Sequence, residues 1–193
     1  FIMSYVRIIA CLLYSDGKLV QSINFRHPVV IGNAITKIQY FNSWQADEIY
    51  LINISKNENS LNKFYEVVEQ LSKISFIPLA IGGWIKSKNQ ARYLLSIGAD
   101  KIILNTQGFK NPNLITNLAN EFGSQFVSVS IDSKKFNNND EVFINRGSES
   151  TGIKTLDWCI EAEKYGAGEI FLNSIDHDGL RKGYNINLMK NVK

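Results

Sequence analysis

The sequence predicts an α/β fold in which βα units repeat along a parallel sheet, and three observations carry that expectation. Short β-branched runs alternate with segments of helical period, the pattern that consecutive βα units leave in a chain. Three of the runs open on related tetrapeptides, Ala46-Asp47-Glu48-Ile49, Ala99-Asp100-Lys101-Ile102 and Ala167-Gly168-Glu169-Ile170. Two of the runs share one spacing, with a charge, an apolar residue and an amide each two apart: Lys101, Ile103, Asn105 and Glu169, Phe171, Asn173.

Taken in order, strands are predicted over residues 7–14, 48–54, 77–81, 101–105, 126–132 and 169–175. Amphipathic helices are predicted over 34–41, 61–74, 88–97, 113–122 and 156–165, the second with Phe64, Val67, Val68 and Leu71 on one face. Ser87, and Pro112 with Asn113, are helix-start signals, while Gly98 and Gly166 mark the turns before two of the repeated strands. The asparagine run at 137–139, followed by Val142-Phe143-Ile144, reads as a surface hairpin after the fifth strand, and 187–193 begins a sixth helix. No linker-like stretch divides the chain, so residues 1–193 are expected to form a single domain.

Composition narrows the function classes. With 193 residues, 45% hydrophobic and 20% charged, the chain is long and apolar enough for one real core. The net charge of +3 is interspersed and forms no basic stripe, which argues against nucleic acid as a partner. Cys11 and Cys159 read as buried thiols of a reducing compartment, and His27 and His177 stand too far from any cysteine to suggest a metal site. The apolar opening stretch 1–14 is interrupted by Arg7 and is too short for a membrane span. A cytoplasmic location with no metal, no cofactor and no membrane partner is therefore expected.

Strand parity then places the chemistry. Side chains two apart share a face, so Lys101 and Asn105 point one way, as do Glu169 and Asn173, and as do Ser128, Ser130 and Asp132. Arg7 and Leu13 fit the same scheme on the first strand. If the sheet closes into a barrel, a residue four positions along an inward face lies roughly 13 Å higher, near the rim where barrel active sites sit. Asp132, Asn105 and Asn173 are the upper candidates. Arg7, Glu48, Lys101 and Glu169, two cations and two anions at equivalent strand starts, are expected to neutralise one another in a lower ring.

In collinear order, Arg7-Ile8-Ile9-Ala10-Cys11-Leu12, Gly82-Gly83, Ala99-Asp100-Lys101-Ile102 with Asn105-Thr106, Phe122-Gly123-Ser124-Gln125, Ser130-Ile131-Asp132-Ser133, and Gly168-Glu169 through Ser174-Ile175-Asp176-His177-Asp178-Gly179 together resemble the cyclase subunit of the imidazole glycerol phosphate synthase family. The resemblance implies a TIM-type (β/α)8 barrel, here about six βα units, of a lyase family. It implies that ammonia from a separate glutaminase enters through a gate formed by Arg7, Glu48, Lys101 and Glu169. It places a phosphate site of a phosphorylated substrate at Gly82, Gly83, Asn105 and Thr106, with Asn173 and Asp178 toward the substrate and Thr151-Gly152 in a nearby flexible loop. Asp132 matches one of two family aspartates that act as general acid and base.

The partner of Asp132 should follow Cys11-Leu12, where this chain carries Leu13, which can neither donate nor accept a proton. Gln21 stands for a family lysine, Asn53 for an aspartate, Trp84 for a third glycine of the phosphate loop and Asn173 for a threonine. The runs Cys11-Leu12-Leu13, 24–28, 32–35 and Phe41-Asn42 are similar to a paralogous branch of surface-polysaccharide (lipopolysaccharide) pathways, working with a glutaminase and a sugar amidotransferase. An ammonia-conducting subunit for sugar amidination is thus the leading expectation. A histidine-biosynthetic cyclase that recruits Asp16 or another group is the alternative, and a non-catalytic phosphate-binding barrel the third. Neither Cys11 nor Cys159 has a histidine to activate it, and no nucleophile is expected beside His177, so glutaminase or triad chemistry in this chain is not expected. A barrel needs eight strands and six are legible, so the last two units are expected to lie outside this sequence.

Overall fold

The structure, a computed structural model, describes residues 6–192; the first five residues of the apolar opening stretch and Lys193 of the last predicted helix lie outside the described residues. In chain order the strands are β1 (Ile9–Ser15), β2 (Lys18–Ile23), β3 (Arg26–Gly32), β4 (Glu48–Asn53), β5 (Leu79–Gly82), β6 (Lys101–Leu104), β7 (Val127–Phe136), β8 (Asn139–Ile144), β9 (Glu149–Lys154) and β10 (Glu169–Ser174). The helices are α1 (Ala34–Trp44), α2 (Leu61–Ser72), α3 (Lys88–Ser96), α4 (Thr106–Lys110), α5 (Asn113–Phe122), α6 (Thr155–Lys164) and α7 (Ile186–Val192). Helix starts are where the sequence signals them: Asn33 accepts from the Ile35 amide at 2.8 Å at the head of α1, and Ser87 accepts from the Gln90 amide at 3.3 Å at the head of α3.

Six strands, β1, β4, β5, β6, β7 and β10, lie side by side in that order and all parallel, with helices in every connection. This is the (β/α)-barrel arrangement of TIM type. Two antiparallel extensions, β2–β3 beyond β1 and β8–β9 beyond the upper half of β7, complete the ten-stranded sheet. Among the described residues no strand ladder joins β1 to β10.

Alternation along the strands sorts side chains into two layers. Leu12, Tyr14, Ile49, Leu51, Ile81, Ile102, Leu104, Val129 and Ile131 face the helices and pack with Phe64, Val68, Leu71, Leu94, Ile115 and Leu118 in the main core. The opposite parity gives a smaller cluster, Tyr50, Ala80 and Ile103 with Ile9, Ile52 and Phe171, on the barrel's inner face.

The hairpin foreseen at 136–144 forms through the two-residue turn Asn137-Asn138, both at positive φ (47° and 64°), as the twist of a hairpin requires. The sequence reading missed an equivalent hairpin between β1 and β2, whose Asp16-Gly17 turn has φ 48° and 92°, and missed β3, β9 and the short α4. Burial of Cys159 agrees with expectation, whereas Cys11 is exposed. Its side chain belongs to the inner parity of β1 and opens onto the unpaired seam beside β10.

Candidate functional site

The inner parity that the sequence predicts brings Arg7, Glu48, Lys101 and Glu169 into one closed ring at the strand starts. Arg7 lies 3.1 Å from Glu48, Lys101 lies 2.9 Å from Glu48 and 2.8 Å from Glu169, and Arg7 closes the ring onto Glu169. The Glu48 side chain is only 2% exposed and meets both cations of the ring. Burial pushes the Glu169 carboxyl up, but Lys101, the Tyr50 hydroxyl at 2.8 Å and Arg7 together hold it below the ordinary carboxylate range. Tyr50 was not foreseen as a ring partner, although it shares the parity of Glu48. Burial raises its phenol, which keeps it a neutral donor.

Above the ring the lining turns apolar. The Tyr50 and Phe171 rings meet edge to face at 5.1 Å, with Ile9, Ala80 and Ile103 around them. A cleft of about 230 Å³ lines this path, running from Arg7 and Glu169 past Ile9 and Tyr50 to Cys11 and Phe171, with Tyr184 at its outer side.

At the upper end, Asp132, Asn105 and Asn173 come together. The Asn105 amide donates to one Asp132 oxygen at 3.0 Å and the Asn173 amide to the other at 2.9 Å, while the same amides reach the Ser130 carbonyl and hydroxyl at 3.1 Å and 3.2 Å. Burial pushes the Asp132 carboxyl up to about 6, against the two amide donors, with the Asp178 charge adding to the rise. Neutral amides orient this carboxylate without supplying the positive charge that would fix it as an anion. It is thereby poised to exchange a proton near neutrality. Leu13 lies on the inner parity of β1, opposite Ile52, and brings no second acid. Asp16 sits in the β1–β2 turn, where its carboxylate accepts from the Ser15 hydroxyl at 3.0 Å.

The surrounding loops explain other candidates. Gly83 has φ +98°, and a Cβ there would stand 2.2 Å from the Asn53 carbonyl oxygen; at Gly82 it would stand 3.0 Å from Ile103. Close packing against backbone therefore demands glycine at 83, while Gly82 sits tight against the Ile103 side chain. The Asn53 side chain faces away from the inner surface and accepts from the Ser55 amide at 2.9 Å. Trp84, also at positive φ, donates its indole N–H to the Ser55 carbonyl at 2.9 Å. Thr106 accepts from the Asn145 amide at 2.9 Å and donates to the Asn105 side-chain oxygen at 3.1 Å, tying the β8–β9 loop to the amide that holds Asp132.

Asp178 works as a clip. One of its oxygens accepts from the Ser22 hydroxyl at 2.8 Å and the Phe25 amide at 3.0 Å, and its carbonyl accepts from the Asn24 amide, so it fastens the β2–β3 hairpin to the end of β10. The expectation that His177 has no hydroxyl beside it is corrected: Ser174 Oγ lies 3.0 Å from His177 Nδ1, because the turn after β10 brings residues three apart together. Both neighbouring acids are engaged elsewhere, Asp176 by the Lys135 amide and Asp178 by the hairpin, so the pair has no orienting carboxylate from them.

An ionic ring at one end of a parallel barrel and a buried, amide-held acid at the other define a TIM-type barrel with two chemically distinct mouths. The chain belongs to the histidine biosynthesis protein family, whose profile matches residues 7–193. It is 40% identical over 186 residues to the imidazole glycerol phosphate synthase subunit HisF of Natranaerobius thermophilus, covering 96% of this chain and 74% of that protein. It is 38% identical over 192 residues to the putative imidazole glycerol phosphate synthase subunit hisF2 of Vibrio vulnificus, covering 100% of this chain and 71% of that protein. The HisF subunit of Metallosphaera sedula is 38% identical over 190 residues, covering 98% of this chain and 76% of that protein. Among the described residues no helix is long and apolar enough to cross a membrane, and no cluster of His, Cys, Asp and Glu could hold a metal ion.

Proposed function

We propose that this chain is a cyclase-type barrel subunit of a glutamine-dependent imidazole glycerol phosphate synthase of histidine biosynthesis, receiving ammonia at its ionic end and using it on a phosphorylated substrate at its Asp132 end. One observation carries the reading: a single inner face bears both the closed Arg7–Glu48–Lys101–Glu169 ring and, past an apolar lining, a carboxylate raised to about 6. Neutral ammonia crosses an apolar passage at far lower cost than an ion, and a carboxyl raised into that range can take up and return protons during ring closure. The names of the relatives favour this reading over sugar amidination.

The ammonia source is a separate glutaminase docking at the ring end. Trp44 is 71% exposed and Phe76 93% exposed. Asn42, two residues before Trp44, bonds the Phe76 amide and the Ile74 carbonyl and so ties the end of α1 to the loop before β5 at the strand-start end. Exposed aromatics at the end of the barrel that carries the ring are the kind of apolar anchor that protein partners use.

Expression of the full-length gene that encodes this chain in a histidine auxotroph lacking its cyclase, together with a matching glutaminase, tests the assignment. Growth without histidine is expected, and failure to grow with folded protein present would overturn it. Leu13 on the inner face favours one second reading, in which the barrel passes ammonia to a different acceptor such as a sugar amidotransferase. That reading predicts stimulation of glutaminase turnover without complementation. Truncation of Trp44 or Phe76 to alanine should reduce the stimulation in either case.

A further inference from the structure

The β8–β9 loop crosses the upper mouth. Its backbone runs through Asn145, Arg146 and Gly147, all at positive φ (51°, 60° and 73°). Asn145 is tied to Thr106 at the end of β6. A Cβ at Gly147 would stand 3.0 Å from Ile175, past the end of β10, and 3.1 Å from Phe25 in the β2–β3 hairpin. Arg146 reaches over the end of β4, where one guanidinium nitrogen donates to the carbonyls of Ser55 at 3.2 Å and Ile54 at 3.4 Å. The Ser55 carbonyl also accepts the Trp84 indole, which places Arg146 beside the loop that follows Gly82-Gly83.

Three features of this arginine call for a ligand. A left-handed backbone favours Gly or Asn, so an arginine between Asn145 and Gly147 sits against local preference, as side chains at functional positions do. Its only bonds are long ones to neutral carbonyls, and among the described residues it joins no ion pair, although its planar fork offers five donors. The loop that carries it is bonded through Thr106 and Asn105 to Asp132, so the cation is held in register with the buried acid.

We propose that Arg146 is the anion-recognition residue of the upper mouth, its guanidinium leaving the Ser55 carbonyl to form a forked contact with the phosphate of the substrate. This deepens the function proposed above by adding a charged group to the neutral donors near Gly83 and Thr106. It also gives a reason why Trp84 is tolerated in the phosphate loop, since its indole is drawn to the carbonyl that Arg146 shares.

The test is titration of the full chain with inorganic phosphate and with glycerol phosphate, followed by amide chemical shifts. It needs neither cyclase turnover nor a glutaminase, so it can fail while complementation succeeds and the reverse. R146A is expected to raise the Kd for both anions tenfold or more, and R146K to recover only part of the loss, because an ammonium lacks the fork. K73A, which removes a remote charge on α2, should leave the Kd unchanged. R146G relieves the left-handed backbone and is expected to unfold at the same or a higher temperature while binding as poorly as R146A. Wild-type phosphate affinity in folded R146A or R146G, or an equal loss in K73A, would overturn the proposal.

Discussion

Replacing Asp132 by asparagine should stabilise the protein at neutral pH. A carboxyl raised from 3.8 to about 6 is displaced by about two units, each worth ~1.36 kcal/mol, so ionised Asp132 costs the fold about 3 kcal/mol above that range. The native state holds this proton more tightly than the unfolded chain does. Stability is therefore highest below the unfolded carboxyl's range, near pH 4, falls as pH rises to about 6, and is level beyond. Asparagine removes that loss but offers one acceptor where the carboxylate offers two, so one of the bonds from Asn105 and Asn173 becomes a donor facing a donor. Losing a bond of this kind costs about 1–2 kcal/mol, which leaves a net gain of about 1–2 kcal/mol at pH 7.5 and a net loss near pH 4. Urea unfolding of both proteins at pH 4.5 and 7.5 measures the difference, and carboxyl carbon shifts in wild type locate the titration. A destabilised Asp132→Asn protein at pH 7.5, or a carboxyl titrating near 4, would refute the reasoning. The same substitution should abolish complementation, so stability and function part company at this residue.

Three further outcomes follow from the geometry. Lys101→Met leaves buried Glu48 with Arg7 alone and should cost about 3 kcal/mol in urea unfolding; it should also weaken the part of the acid dependence that comes from Glu169, whose depressed pKa contributes stability above the unfolded carboxylate range and loses it as pH falls through the folded value. Gly83→Ala must place its Cβ against the Asn53 carbonyl in a left-handed backbone and should destabilise by more than about 2 kcal/mol, read as a fall in thermal midpoint. Asp178→Ala should free the β2–β3 hairpin, lowering hydrogen-exchange protection at the Phe25 amide while the amides of β5 and β6 keep theirs.

The parallel part of the fold was legible because two local signals agreed: β-branched runs marked the strands, and alternation within them separated helix-facing from inward residues. Six strands and five helices were placed to within a few residues on that basis. The β2–β3 hairpin was not, although Asp16-Gly17 is a two-residue turn signal; Pro28 discourages a strand reading, and its position in β3 is tolerated because β3 is an edge of the sheet. The ring was foreseen as four charges at one level, but Tyr50 as a fifth member needed the width of the barrel, which no local pattern supplies. That Asp178 also clips the hairpin was not legible because its partners, Ser22 and Phe25, lie more than 150 positions away in sequence. Arg146 carried no signal at all: only the path of the loop sets it over Ser55.

β10 shows why the two mouths differ chemically. Glu169 at its start and Asn173 near its end lie on one face; Glu169 is itself a partly buried carboxyl, and Asn173 holds the buried carboxyl of Asp132. At the lower end cations surround the acid, and its pKa falls despite burial. At the upper end amides surround the acid, and burial prevails, so its pKa rises. The two sites differ in both respects: Asp132 is buried among neutral amides, whereas Glu169 keeps some exposure beside two cations. A cation introduced beside Asp132, as in Asn173→Lys, should convert the upper mouth to the lower type. The Asp132 titration would drop toward the ordinary carboxylate range and, if the proposed proton exchange is its role, complementation would be lost although the carboxylate remains. Survival of activity with a lowered Asp132 pKa would show that proton exchange at this carboxyl is not what the upper mouth uses.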